Sequence, residues 1–304
     1  MKRDLLTILD LKKEEILRLI KLAQEFKKKA KRQRVNSVLK GKTLAMIFEK
    51  HSTRTRVSFE VAMVQLGGHP LVIDSQSSQL SRGESIADTA QVLSRYVDGI
   101  MFRANRHQDI VEMAQHATVP VINGLSDLYH PVQVLSDLLT LTENFKDIKK
   151  LSVCYLGDWN NLTRSWINAA IRLGFVLKIA CPQSTWPSEN DRRALKNHSN
   201  IEVMLDPQEA VRGSNALYTD AWVSMGQAEH SSKEQFYPYQ INAALLKNAA
   251  PKAIVLHCLP AHRGEEITDE VMDGPASRVF DQAENRLHMQ KAILSALLSL
   301  RGGL

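Results

Sequence analysis

The chain has 304 residues, of which 44% are hydrophobic, 24% charged and 6% aromatic, and its formal net charge is +6. This length and composition are typical of a soluble globular protein with about two domains, and they exclude a mainly disordered chain. Three cysteines without a C-x-x-C pair argue against a disulfide framework and against a four-cysteine zinc site.

Strand and helix patterns alternate along the chain. The first predicted helix follows Asp10 and carries apolar residues from Ile16 to Phe26. Strands are predicted at residues 44–48, 71–73, 99–102, 119–122, 151–156, 176–180, 201–205, 216–218 and 253–256. Helices are predicted at residues 58–66, 85–96, 110–117, 132–144, 165–173, 189–197, 242–248 and 285–300. The alternation predicts an α/β fold with two doubly wound parallel-sheet domains, residues 1–145 and 146–285, separated near the polar stretch 143–150.

Polar or reactive residues follow nearly every predicted strand. They include Ser52 to Arg56, Arg103, Asn123, Asp158 to Asn161, Asp220 and His257 with Cys258. Parallel sheets bind ligands beyond the carboxyl ends of their strands. Because both halves of the chain supply such residues, the sequence predicts one active site in the cleft between the two domains.

The location and the macromolecular partners are predicted from what the sequence lacks. No apolar stretch approaches the roughly 18 residues that span a bilayer, and the start at Met1 leads into no signal-peptide core. A cytoplasmic protein without membrane contact is therefore expected. The basic run from Lys27 to Arg34 is most simply the solvated end of the first helix, and nucleic-acid binding is its alternative interpretation.

The segment Ser52-Thr53-Arg54-Thr55-Arg56 carries the strongest chemical signal. It lies between a strand and a helix, where unpaired backbone N–H groups and the positive end of the helix dipole converge. Hydroxyl groups and an arginine fork add donors that match a phosphate. The alternative is helix capping by Ser52 beside a surface arginine pair. No G-x-G-x-x-G is present, and Gly41-Lys42-Thr43 precedes its strand, so a nucleotide-binding loop is not supported.

Three further groups have both a chemical and a structural interpretation. His130 and Gln133 lie one helical turn apart and could face one ligand, although a histidine at a helix start is often a cap. Cys258 is interpreted as a residue that lines a pocket, because its neighbour His257 would point to the opposite side of a strand. Asp220 opens a loop that runs to Gly226 and that is either a mobile lid or a structural turn.

Together these residues resemble the transcarbamoylase family. The Ser-Thr-Arg-Thr-Arg and His130-Pro-Val-Gln133 elements mark the family, and Ser224-Met225-Gly226 with His257-Cys258-Leu-Pro marks its ornithine branch. The resemblance covers nearly the whole chain. It implies transfer of a carbamoyl group from carbamoyl phosphate to the δ-amine of L-ornithine, giving L-citrulline and phosphate in arginine metabolism, with no cofactor and no metal. It also implies that a C-terminal helix, residues 286–302, packs back on the first domain.

The resemblance implies a role for each site residue. Catalytic roles are implied for Arg103, His130 and Cys258. Carbamoyl-phosphate binding is implied for Ser52, Thr53, Arg54, Thr55, Gln79, Arg103, His130, Gln133, Cys258, Leu259 and Arg286. Ornithine binding is implied for Asn161, Asp220, Ser224 and Met225. The family lends the residue at Gln79 to the site of a neighbouring subunit, which implies a homotrimer.

Two positions depart from the family's usual pattern. Trp159 stands where a small residue is usual, and Arg164 stands where histidine is common. A bulky indole beside Asn161 could reshape the amino-acid side of the pocket. The first alternative is therefore a carbamoyltransferase for another amine or amino acid, such as putrescine or aspartate. A basic nucleic-acid-binding protein is the second.

Overall fold

A computed structural model describes residues 2–30, 37–50, 52–74, 79–222 and 233–299. The chain divides into two compact units. Unit 1 comprises residues 1–139 and 284–304, and unit 2 comprises residues 140–283. The predicted fold class, two α/β domains built on parallel sheets, is confirmed.

Unit 1 is built on a parallel sheet with the strand order β2-β1-β3-β4. Its strands are β1 (Thr43–Phe48), β2 (His69–Asp74), β3 (Gly99–Arg103) and β4 (Val121–Leu125). Its helices are α1 (Lys13–Ala30), α2 (Thr53–Gln65), α3 (Ile86–Leu93), α4 (His107–His116) and most of α5 (Pro131–Asn144). The central strands β1 and β3 are apolar and buried on both faces, as helices on both faces of a parallel sheet require.

Unit 2 is built on a parallel sheet with the order β7-β6-β5-β8-β9. Its strands are β5 (Ser152–Leu156), β6 (Val176–Ala180), β7 (Ile201–Met204), β8 (Ala216–Thr219) and β9 (Ile254–His257). Its helices are α6 (Asn161–Leu173), α7 (Glu189–Leu195), α8 (Pro207–Val211), α9 (Ala243–Leu246) and α10 (Asp269–Met272). The last helix, α11, runs from Val279 to Leu298, and the division between the units falls within it.

Four helices begin at least three residues earlier than their apolar periodicity predicts, and one of them is α4, at His107 instead of residue 110. Helix α2 begins at Thr53 instead of residue 58, α6 at Asn161 instead of 165, and α11 at Val279 instead of 285. The first turns of α2 and α6 are polar and follow a capping side chain, so no apolar repeat marks them. The segment Ser52–Arg56 is therefore a helix start and not a loop before one.

Smaller differences between the predicted and the observed elements have the same cause, because apolar periodicity marks the ends of elements poorly. Strand β4 is shifted towards Leu125, so that Asn123 lies inside the strand. The short helices α8 and α10 have no counterpart among the predicted elements, and the helix predicted at 242–248 forms only over Ala243–Leu246. The unit boundary at residues 139 and 140 lies inside α5, six residues before the predicted division. No helix in the described part of the chain is long and apolar enough to cross a membrane.

Each sheet has one point at which successive connections leave in opposite directions. In unit 1 this switch point lies between β1 and β3, and in unit 2 it lies between β5 and β8. A crevice forms beyond the strand ends at such a point, and open α/β sheets bind their ligands there. The residues that follow these four strands are the starting point for the functional site.

Candidate active site

The switch point of unit 1 presents the N-terminus of α2. Ser52 is the N-cap residue, and its Oγ accepts a hydrogen bond from the backbone N–H of Thr55 at 3.4 Å. Thr53 and Arg54 form the first turn, and the Nε of Arg54 is buried without a hydrogen-bond partner. Capping and anion binding are compatible here, because the cap uses one N–H group while the helix dipole still favours a negative charge.

Two arginines from distant parts of the sequence join this helix start. Arg103 is the last residue of β3 and is 8% exposed. Arg286 belongs to α11, and its Nη2 donates a hydrogen bond of 2.7 Å to Oγ1 of the buried Thr55. The chain therefore concentrates positive charge at the carboxyl ends of β1 and β3.

His130 is buried directly before α5. Its pKa is held well below the ordinary value of 6.5, first by burial and then by the positive charges of Arg286 and Arg103. The imidazole is consequently neutral at neutral pH. The neutral ring has one donor and one acceptor nitrogen, so it can form a hydrogen bond with a ligand without adding a charge.

Gln133 lies one turn further along α5 and is fully buried. Its Nε2 donates to Oδ1 of Asp137 at 2.8 Å, whereas its Oε1 has no hydrogen-bond partner. A buried acceptor of this kind suits an amide NH2 group. The unit 1 site can therefore hold an anion that carries an amide.

Two further unit 1 residues singled out in the sequence, Arg56 and Gln79, are exposed and make different contacts. Arg56 is 57% exposed in its side chain, and its Nε pairs with Glu60 at 3.0 Å, so Arg54 is the arginine of the pair that remains for a ligand. Gln79 is exposed at the start of a short 3-10 helix, Gln79–Arg82, and it lines an apolar hollow with Ile47 and Ile73.

The switch point of unit 2 carries carboxylate and amide groups. Asn160 caps α6, with its Oδ1 accepting from the backbone N–H of Leu162 at 2.9 Å. The Nδ2 of Asn160 donates to Oδ2 of Asp220 at 3.3 Å. The thiol of Cys258 donates to Oδ1 of the same carboxylate at 2.8 Å. Asn161 is the first residue of α6 and directly follows this cap.

A second carboxyl group, that of Asp158, follows β5. Asp158 is 7% exposed, and burial together with the nearby charge of Asp220 raises its pKa from 3.8 to about 6. Two carboxyl groups in a sparsely solvated crevice favour a cationic ligand. The remaining residues assigned to this side, Ser224 and Met225, lie outside the described residues.

His257 is engaged in the interior and does not activate Cys258. Its Nδ1 accepts from the N–H of Leu259 at 2.9 Å, and its Nε2 lies 2.9 Å from Oε1 of the buried Glu266. Burial raises the pKa of Glu266, but the hydrogen bonds from His257 and from the backbone N–H of His262 together outweigh it and lower the pKa. The interpretation of Cys258 as a pocket residue agrees with its hydrogen bond to Asp220.

The described residues contain two clusters of possible metal ligands. In the group of Asp220, His257 and Cys258, both imidazole nitrogens already have protein partners, so His257 has no lone pair for an ion. In the group of His262, Glu265 and Glu266, the carboxylate of Glu265 is paired with Lys233 at 2.8 Å. Neither group is arranged as a free metal-binding site.

The two-unit organisation agrees with the domains of known proteins. Residues 3–143 match the carbamoyl-P binding domain of aspartate/ornithine carbamoyltransferases, and residues 149–297 match the Asp/Orn binding domain. The chain belongs to the aspartate/ornithine carbamoyltransferase family. The family resemblance in the sequence is thereby confirmed.

Individual relatives of this family are similar over the full chain. The ornithine carbamoyltransferase of Syntrophus aciditrophicus is 52% identical over 302 residues, which cover 98% of this chain and 100% of the relative. The structure of the Pyrococcus furiosus ornithine carbamoyltransferase is 49% identical, with a TM-score of 0.93 over 99% of this chain and 98% of that chain. The anabolic enzyme of Campylobacter jejuni is 42% identical, with a TM-score of 0.90 over 98% of this chain and 99% of its own.

Sequence reasoning misses two partner residues of the site, Asp137 and Glu266, and the partner role of a third, Asn160. Asp137 holds Gln133, Asn160 holds Asp220, and Glu266 holds His257. The i,i+4 spacing of Gln133 and Asp137 on a helix was a usable signal. Asn160 is marked by its capping position before α6. Glu266 has no periodic relation to His257, so the sequence alone offers no signal for that pair.

Proposed function

We propose that the protein transfers the carbamoyl group of carbamoyl phosphate to the δ-amine of L-ornithine, giving L-citrulline and phosphate in arginine metabolism. The observation that carries this proposal is the composition of the unit 1 site. Arg103 and Arg286 lie close enough to the buried neutral His130 to lower its pKa, and the acceptor of Gln133 lies one helical turn away. This group of side chains matches a ligand with a phosphate at one end and an amide at the other.

Carbamoyl phosphate is proposed to bind at the start of α2. Its phosphate accepts hydrogen bonds from Ser52, Thr53, Arg54 and Thr55, and Arg103 reaches both phosphate and carbamoyl oxygen. His130 donates to the carbonyl oxygen, Gln133 accepts from the amide, and Arg286 orients Thr55 through their hydrogen bond. Cys258 and Leu259 are assigned to the same ligand by family membership.

Ornithine is proposed to bind at the switch point of unit 2. The carboxylate of Asp220 takes the α-ammonium group, and Asn161, Ser224 and Met225 complete the binding set. Aspartate would need a free cationic partner for its second carboxylate, whereas this crevice carries the carboxyl groups of Asp158 and Asp220, and the nearby Arg164 is already paired with Asp191. Putrescine would leave Asp220 without an α-ammonium group to bind.

The reaction follows from these positions. The neutral δ-amine attacks the carbamoyl carbon, a C–N bond forms, and the bond from that carbon to the phosphate oxygen breaks. Thr55, Arg103 and His130 are fixed donors for the negative charge that develops on the carbonyl oxygen. The leaving phosphate accepts the proton that the amine loses. Holding both reactants in attack geometry supplies on the order of 7–11 kcal/mol of the barrier.

A homotrimer in the cytoplasm is part of the proposal, with Gln79 reaching the carbamoyl-phosphate site of a neighbouring subunit. Val57 and Val64 lie two turns apart on α2 and are 51% and 61% exposed, which supports self-association of unit 1. Light scattering of the purified chain should give three times its mass of 34.2 kDa. A monomer that retains full activity would contradict the shared role of Gln79.

The function is tested by a colorimetric assay for carbamoylated product, with carbamoyl phosphate and a panel of amines. Ornithine is expected to be the best substrate, ahead of lysine, putrescine and aspartate. Preference for putrescine or aspartate would replace the proposed substrate and keep the donor. Binding to DNA without any turnover would favour the nucleic-acid alternative, although Lys27 of the basic run already donates to Asn285 at 2.7 Å.

A further inference from the structure

We infer that the indole N–H of Trp159 donates a hydrogen bond to the α-carboxylate of the amino-acid substrate, and that Arg164 and Asp191 position the indole for it. This inference rests on the proposed function for the identity of the substrate. Trp159 lies between Asp158 and the helix cap Asn160, in the segment that joins β5 to α6. It is thus part of the unit 2 switch point.

The Nε1 atom of Trp159 is buried and has no hydrogen-bond partner in the structure. Burying an N–H group without an acceptor costs free energy. A buried N–H that lacks a protein acceptor at a ligand-binding position therefore suggests that the ligand supplies the acceptor. Trp166 and Trp222 also have buried Nε1 atoms without partners, but their side chains are almost completely enclosed in aromatic clusters. Trp159 is only partly buried and lies at a strand end where ligands bind.

The acceptor that fits this donor is an anion. The N-terminus of the 13-residue helix α6 begins two residues after Trp159 and favours negative charge. A few residues away in the same crevice, the carboxylate of Asp220 is suited to an ammonium group. An α-amino acid carries both charges on one carbon. Its carboxylate therefore belongs on the α6 side and its ammonium on the Asp220 side.

The indole ring contacts Arg164, which is itself paired with Asp191. The guanidinium carbon of Arg164 lies 5.9 Å from the centre of the Trp159 ring, within the range of a cation–π contact. Arg164 in turn donates to both carboxylate oxygens of Asp191, at 2.6 and 3.1 Å. Burial raises the pKa of Asp191, but hydrogen bonds from Arg164 and Ser188 outweigh it and lower the pKa. Asp191 is thus a fixed negative anchor for Arg164.

The test compares two ligands in wild type and in Trp159→Phe, which removes the N–H donor and keeps an aromatic ring. The ligands are 2-aminopentanoate, which has the α-carboxylate, and 1-aminobutane, which lacks it. Both are measured as competitive inhibitors against ornithine and, independently of turnover, by calorimetry with a phosphonate analogue of carbamoyl phosphate. Trp186→Phe is the matched control, because Trp186 is a partly buried indole elsewhere in unit 2.

We expect Trp159→Phe to weaken 2-aminopentanoate about tenfold or more and 1-aminobutane less than about twofold. The KM for ornithine should rise by a similar factor while kcat stays within about threefold. Arg164→Gln should raise the same KM with the donor still present. Trp186→Phe should change none of these values. Equal effects on both ligands, or none on either, would overturn the inference.

Spectroscopy separates a hydrogen bond from a merely steric role. In protein labelled with 15N-tryptophan, the indole resonance that is missing in Trp159→Phe should move downfield on adding 2-aminopentanoate but not 1-aminobutane. An unmoved resonance would contradict the assignment. Because the binding measurements need no catalysis, a wild-type protein that binds 2-aminopentanoate in this way but forms no citrulline would disprove the proposed function and leave the inference standing.

Discussion

The two units have similar sheets and opposite electrostatics at their switch points. In unit 1 the switch point carries Arg54 at the start of α2 and Arg103 at the end of β3, and Arg103 and the α11 residue Arg286 act on a neutral His130. In unit 2 they carry the carboxyl groups of Asp158 and Asp220. The parallel sheet supplies the crevice in both cases, and the residues at the strand ends decide the sign of its charge. The same sheet architecture can therefore bind an anionic ligand in one unit and a cationic ligand in the other.

Each unit also contains a buried titratable group whose pKa is shifted. Unit 1 keeps its histidine uncharged among arginines, which leaves the positive charge on the guanidinium groups. In unit 2 burial raises the pKa of Asp158 to about 6, so this carboxylate takes up a proton more readily than an ordinary aspartate does. In both units burial shifts the pKa of this titratable group in the direction that favours its neutral form. If the two sites are separate and oppositely charged, a substitution in one should leave binding at the other intact.

The largest effect is expected for Arg54→Ala. Loss of a guanidinium fork from the proposed phosphate site should lower kcat/KM by about 10³-fold or more, equivalent to about 4 kcal/mol of transition-state stabilisation. Steady-state kinetics with carbamoyl phosphate measure it. The matched control is Arg56→Ala, which removes an exposed arginine paired with Glu60 on the same helix and should change the rate less than about twofold. Retained turnover in Arg54→Ala would refute the assignment of the anion site.

A smaller effect is expected for Asp220→Asn. Removing the charge proposed to bind the α-ammonium should lower kcat/KM for ornithine about 100-fold, or about 2.7 kcal/mol. Calorimetry with a phosphonate analogue should find donor binding within about twofold of wild type, because the anion site is in unit 1. Asp273→Asn, at an exposed pair with Arg263, serves as the control. Equal loss of donor binding would show that the two sites are not separable.

The smallest effect is expected for Asp158→Asn, and it concerns stability. The pKa of Asp158 is raised from 3.8 to about 6, so the folded state binds its proton more tightly than the unfolded state does. The ionised group therefore destabilises the fold above pH 6, and this penalty disappears below about 3.8. The difference between the two pKa values corresponds to about 3 kcal/mol at most.

Asp158→Asn should consequently raise the free energy of unfolding by about 2–3 kcal/mol at about pH 7.5 and leave it unchanged near about pH 3.5. Chemical denaturation of wild type and Asp158→Asn at the two pH values measures the free energies of unfolding. The titration of all other groups cancels in the difference between the two proteins at each pH. A stabilisation of the same size at both pH values would exclude the buried charge as its cause.

The sequence predicts the strands and the strand-end residues well, and for a physical reason. Apolar runs such as 44–48 and 151–156 differ by one residue from the observed strands Thr43–Phe48 and Ser152–Leu156. Since the strands of each sheet are parallel, the residues after them meet at one edge of that sheet. The amino-acid sequence alone is therefore enough to assign Arg103, His130 and Asp220 to candidate sites.

The contacts that complete the sites could not be predicted in this way. Thr55 and Arg286 are 231 residues apart, and no periodicity relates an α2 residue to an α11 residue. The buried pair of His257 and Glu266 depends on a turn whose Leu259 has a φ of 61°, a conformation that a hydrophobic pattern does not encode. The early starts of α2 and α6 were missed because their first turns are polar, which is the property that suits them to bind ligands.

The return of α11 to unit 1 has a consequence for biosynthesis of the chain. Thr55 leaves the ribosome early, but its partner Arg286 follows 231 residues later. All of residues 140–283 must therefore be synthesised before the two side chains can meet. The anion-binding pocket of unit 1 is therefore completed only after the whole of unit 2 has been synthesised.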